Sequence, residues 1–135
     1  MILKFKNLSP MLDSYFSRNQ LLVQRARIDG AVVVVVDVRY RVFIRPAPHG
    51  DLVLESKLIS LPSKINEADE LIGLCLMGSW VRMLEFAEVP VLSENQEEIM
   101  LQYRVSMDAT VEDFEMVLGQ FVNSLAEWHR ILRVI

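Results

Sequence analysis

The chain has 135 residues, of which 52% are apolar and 24% charged, and its net charge is −4. That composition excludes disorder, collagen and low complexity, and the length suits a single domain spanning residues 1–135. A body this small buries about two-thirds of its unfolded surface. So much apolar residue therefore leaves some exposed, which points to an oligomer or a binding protein.

Ser9-Pro10 supplies a cap and a first-turn proline. Leu8, Met11, Leu12, Tyr15 and Phe16 then recur at helical spacing, predicting a helix to about residue 18. Residues 21–28 have two readings. Leu22, Val23 and Ala26 continue the helical phase, while an extended run would meet Asp29-Gly30 as a hairpin turn. Ala31 to Val38 holds six valines in seven positions, a strand by β-branched preference. Tyr40 to Arg45 alternates Tyr40, Val42 and Ile44 with Arg41, Phe43 and Arg45, predicting a second strand with a large apolar side chain on each face. After the Pro46–Gly50 turn, Leu52 to Ile59 alternates again and Pro62 stops it. Short connections make these three strands an antiparallel meander.

A second helix is expected from Asn66, with Glu67, Asp69 and Glu70 in its first turn, to a stop near Gly78. Val81 to Leu92 reads as a fourth strand, with Pro90 marking an edge or bulge, and Ile99 to Met107 as a fifth. Thr110-Val111-Glu112-Asp113 resembles a capping box. It opens a last helix striped by Phe114, Val117, Leu118, Phe121, Leu125, Trp128 and Leu132. The predicted order is α-β-β-β-α-β-β-α, an α+β domain with helices packed on an antiparallel sheet.

Residue chemistry points away from catalysis. His49 and His129 stand alone, and no metal-ligand spacing or nucleophile elbow occurs. Cys75 is the single cysteine, so an internal disulfide and a cysteine metal cluster are excluded, and its apolar neighbours predict a buried thiol. No catalytic residue, metal or cofactor is expected. Glu97-Glu98 and Asp69-Glu70 are adjacent acids whose side chains diverge, so they read as a solvated tip and a helix start. Arg39, Arg41 and Arg45 beside Tyr40 and Phe43 resemble a stacking platform, but the acidic total argues against nucleic acid. The charge is nevertheless uneven. Residues 1–64 carry ten Lys and Arg against five Asp and Glu, while residues 65–135 carry four against thirteen. The first half either favours an acidic partner or uses arginine to protect strand edges. The longest apolar run has six residues, too short for a membrane span, and no signal-peptide pattern opens the chain, so a cytoplasmic protein is expected.

Several stretches together resemble one family. Val35-Val36-Asp37 followed by Tyr40-Arg41-Val42-Phe43-Ile44 is similar to a hairpin of the type III secretion chaperones of Gram-negative bacteria. Leu52 to Pro62, ending in Leu-Pro, looks like their third strand. Leu71-Ile72-Gly73-Leu74-Cys75-Leu76 resembles their leucine-rich second helix, and Phe121 to Trp128 their closing helix. The resemblance covers residues 8–133 and implies a homodimer that binds the N-terminal segment of a secreted effector, with the export ATPase as a further partner. It implies a groove lined by Leu12, Tyr15, Phe16, Val42, Phe43 and Ile44. It also implies a dimer seam at Leu71, Leu74, Cys75, Trp80, Val81 and Met83. A regulatory interaction protein of similar fold and a ligand-binding α+β domain remain as alternatives.

Overall fold

Valine-rich and alternating segments form the strands where the patterns place them. The computed structural model describes residues 15, 24–25, 31–36, 39–82, 88–106 and 108–133. In chain order the elements are β1 (Gln24–Arg25), β2 (Val32–Val36), β3 (Tyr40–Pro46), β4 (Leu52–Ser60), α1 (Ile65–Arg82), β5 (Val89–Leu92), β6 (Glu98–Val105) and α2 (Val111–Arg133). The strands make one antiparallel sheet in the order β1-β2-β3-β4-β6-β5. Gln24–Arg25 pairs with Val32–Val33, so the extended reading of residues 21–28 holds there. Tyr15 is helical, as expected, and the rest of the predicted N-terminal helix lies outside the described residues.

Period-two alternation decides the layers. Val32, Val34, Val42, Ile44, Leu52, Leu54, Leu101 and Val105 turn to one face and join the core. Against them packs the α2 stripe of Phe114, Leu118, Phe121, Val122, Leu125, Trp128 and Leu132. The stripe matches its sequence spacing because 3.6-residue periodicity keeps these side chains on one side. Its helix begins with a reciprocal cap. The Asp113 N–H donates to Thr110 Oγ1 at 3.1 Å, and the Thr110 N–H donates to Asp113 Oδ2 at 3.2 Å. The opposite face of the sheet carries Val33, Val35, Arg41, Phe43, Arg45, Val53, Glu55, Met100 and Gln102, and none of these belongs to the core cluster.

Three expectations need correction. The helix expected to stop near Gly78 continues through it to Arg82. A glycine inside a helix costs about 1 kcal/mol relative to alanine, which the backbone hydrogen bonds of the following turn outweigh. Against the strand expected from Val81, the described residues place Val81 in α1 and the strand at Val89–Leu92, on the sheet edge, where a proline is tolerated. Asn66, expected as a cap, stands inside the first turn of α1. Between β3 and β4, His49 and Gly50 take left-handed φ of 67° and 85° to close the turn. Arg104 clamps that turn, donating from Nε to Asp51 Oδ2 at 2.7 Å and from its guanidinium to the Pro48 carbonyl at 3.0 Å.

Candidate functional site

Two surfaces leave apolar side chains open. The first follows α1. Leu71 and Cys75 face the core, and Leu74 is half-buried against it. Leu76 and Met77 project the other way, with 67% and 71% of their surface exposed. Beside them Leu92 of β5 is also exposed. A cavity of about 200 Å³ runs between helix and strand, lined by Ile72, Cys75, Leu76, Pro90, Leu92 and Ile99. Burial pushes the Cys75 thiol above its ordinary value, which keeps it protonated at neutral pH.

Of the expected seam residues, Leu71, Leu74 and Cys75 therefore lie on the inner side of α1. Trp80 and Val81 fall in its last turns, and their side chains, like all of Met83, lie outside the described residues. The more exposed residues of this flank, Leu76 and Met77, were missed. The signal was the run itself, since six apolar residues within 71–77 cannot all face one side of a helix.

The second surface is the sheet face away from α2. In register across it stand Val33 and Glu55, both buried, with the more open Phe43, Gln102 and Val89. Phe43 is half-buried and is the open aromatic of β3, while Val42 and Ile44 are wholly inside the core. The strand register thus separates the expected groove residues. Tyr15 is buried as well, packing edge-to-face on Phe114 with centroids 4.9 Å apart. Burial, then the Glu115 carboxylate, raises its phenol above the usual range. Leu12 and Phe16 lie outside the described residues. Glu55 is only 5% exposed although it sits on this outer face. Arg45 Nε lies 3.3 Å from its carboxylate, and the Gln102 amide donates to it at 2.9 Å. Ionic and amide partners make such a burial tolerable.

No metal-ligating cluster of His, Cys, Asp or Glu occurs among the described residues. Among them, too, no helix is long and apolar enough to cross a membrane.

Neither a family model nor a curated protein sequence matches the chain. Solved structures do. A chain of the HopA1–SchA chaperone–effector complex aligns with a TM-score of 0.65 at 15% identity, covering 95% of this chain and 94% of that one. The Yersinia pestis type III secretion chaperone SycH, solved with a stable fragment of YscM2, gives 0.63 at 15% identity, covering 90% and 98%. A chain of the ExsC–ExsE complex gives 0.66 at 20% identity, covering 98% and 97%. The chain has the fold of the type III secretion chaperones over 90–98% of its length.

Proposed function

We propose that the chain is a secretion chaperone. It forms a homodimer, binds the N-terminal segment of one or more type III effectors in extended form, and keeps that segment soluble and competent for export without catalysis. The observation that carries the reading is the likeness in fold, over 90–95% of the chain, to chains solved with a bound effector or protein fragment. Binding of an extended segment needs surface, and the exposed apolar residues supply it. Leu76, Met77 and Leu92 form the flank on which a second copy would seat, because a permanent seam buries apolar residues at its centre. Phe43, on the open sheet face, is the anchor we assign to the bound segment. On this reading the protein works in the cytoplasm and hands its cargo to the export ATPase.

Two measurements test it. Sedimentation equilibrium at micromolar concentration is expected to give about 31 kDa, twice the 15.6 kDa chain, and a value near 16 kDa rejects the dimer. Capture of the tagged chain's partner from its native cells, followed by limited proteolysis of the complex, is expected to protect a segment near the partner's N-terminus. A partner that binds equally well after that segment is removed rejects the chaperone reading.

A further inference from the structure

Strands β3 and β4 part company halfway along. They pair from Pro46 opposite Leu52 to Phe43 opposite Glu55 and no further, although β3 begins at Tyr40 and β4 runs to Ser60. Each remains bonded on its other side, Tyr40–Val42 to β2 and Ser56–Lys57 to β6. Continuing the register would set Arg41 opposite Lys57. Side chains serve those two carbonyls instead. The Ser56 hydroxyl donates to the Arg41 carbonyl at 2.7 Å, and His129 of α2 donates its Nε2–H to the Lys57 carbonyl at 3.1 Å. Tyr40 stacks on the His129 ring, with centroids 6.1 Å apart and planes 25° from parallel. Side chains, rather than ladder bonds between the two strands, thus serve both carbonyls at the fork.

The fork opens into a cavity of about 460 Å³. Its deep end reaches Leu125 and Met100, both buried, and the rings of Tyr40 and Phe43 line it. Three cations, Arg39, Arg41 and Lys57, line its exposed part. Lys57 is paired with Glu98 at 3.2 Å. The Arg39 and Arg41 guanidiniums lie over the Tyr40 and Phe43 rings, 5.2 and 5.8 Å from their centroids. Among the described residues neither arginine has a carboxylate within ion-pair distance. Stacking on a ring holds a guanidinium in place while its N–H donors stay available.

We propose that the fork is a recognition site for an acidic extended peptide, one apolar side chain of which enters the cavity while flanking carboxylates bind Arg39 and Arg41. The inference rests on the chaperone reading in taking that peptide as part of the bound polypeptide. Charge complementarity selects the occupant, since two guanidiniums without ionic partners among the described residues, beside an apolar hole, match a carboxylate next to an apolar residue. A nucleic acid fits less well. Glu98 lines this cavity and, with Glu55 and Glu94, the adjoining one of about 580 Å³, so a phosphate backbone laid along the face meets carboxylates.

The whole chain is titrated with two labelled peptides, one carrying phenylalanine between glutamates and one with glutamines in their place. The readout is fluorescence anisotropy. The glutamate peptide is expected to bind about tenfold tighter, an advantage of about 1.4 kcal/mol, and to lose that advantage as salt is added. The double variant Arg39→Glu/Arg41→Glu, with melting unchanged, is expected to abolish the preference, and Arg39→Gln/Arg41→Gln to reduce it. Equal binding of the two peptides, a preference that survives charge reversal, or tighter binding of a labelled single-stranded oligonucleotide overturns the proposal. If the captured polypeptide binds the charge-reversed variant as well as the parent, the fork is rejected and the chaperone reading stands. If the peptide preference appears while no partner shows a protected N-terminal segment, the site stands and the chaperone reading falls.

Discussion

Helices α1 and α2 pack on the same sheet, yet they distribute apolar residues in opposite ways. In α2 the stripe from Phe114 to Leu132 is buried, and what faces outward is mostly polar: Glu112, Asp113, Gln120, Asn123 and Arg130. In α1 the inner residues Leu71 and Cys75 are matched by Leu76 and Met77 on the outside. One helix turns its large apolar residues inward apart from Met116, whereas the other carries a second apolar face with nothing on it among the described residues. An apolar count therefore overstates the core of this protein, and among the described residues the exposed surplus is concentrated on α1 and the edge strand β5, with Val35 of β2 and Met116 of α2 apart from it.

The contrast is open to direct attack. Phe121→Ala removes a fully buried ring from α2 and is expected to destabilise the fold by about 3–5 kcal/mol, read as a fall in the denaturation midpoint. A loss under 1 kcal/mol would mean that the α2 layer is not the core. The double variant Leu76→Asp/Met77→Asp is expected to leave secondary structure intact while weakening self-association by about 2 kcal/mol or more. Sedimentation reads that difference, and an unchanged dimer would place the seam away from α1. Gly119→Ala sits in the exposed interior of α2 with open space around the new Cβ, so it is expected to gain up to about 1 kcal/mol in thermal stability.

The smallest effect concerns Cys75. Its raised thiol pKa means the folded chain keeps a proton that the unfolded chain releases above about 9.0. Stability from this group is therefore full below that pH and falls as pH rises past it. Urea midpoints of the parent and Cys75→Ala, compared between neutral pH and pH near 10, should show a shallower alkaline decline in the variant. Equal slopes would mean that the thiol is not shielded beneath α1. Tyr15, also raised but from an ordinary value of 10.0, contributes in the same direction at higher pH and is common to both proteins.

Local patterns made much of this legible before any coordinates. The Thr110/Asp113 cap, the α2 stripe and the β2-β3-β4 meander are each set by residues close in sequence, where cap geometry and side-chain period act directly. Legibility failed where two local signals competed. Gly78 read as a stop, but the helix passes through it, because the cost of one glycine is smaller than that of ending a packed helix early. In β3, alternation separated Val42 and Ile44 from Phe43 without saying which side faces the core. One residue of slip exchanges the two sides, so that choice belongs to the register with β2 and β4.

Sequence alone, then, determined the antiparallel meander, the buried stripe of α2 and the excess of apolar residues in 71–77, because backbone preference and periodicity act over a few neighbouring positions. Tertiary structure decided the rest. It placed β6 between β4 and β5, turned Phe43 outward, buried Glu55 under Arg45 and Gln102, and brought His129 across 72 residues to the Lys57 carbonyl at the fork. Those outcomes depend on which distant segments pair and where a pairing stops, and long-range register is not written in the spacing of any one segment.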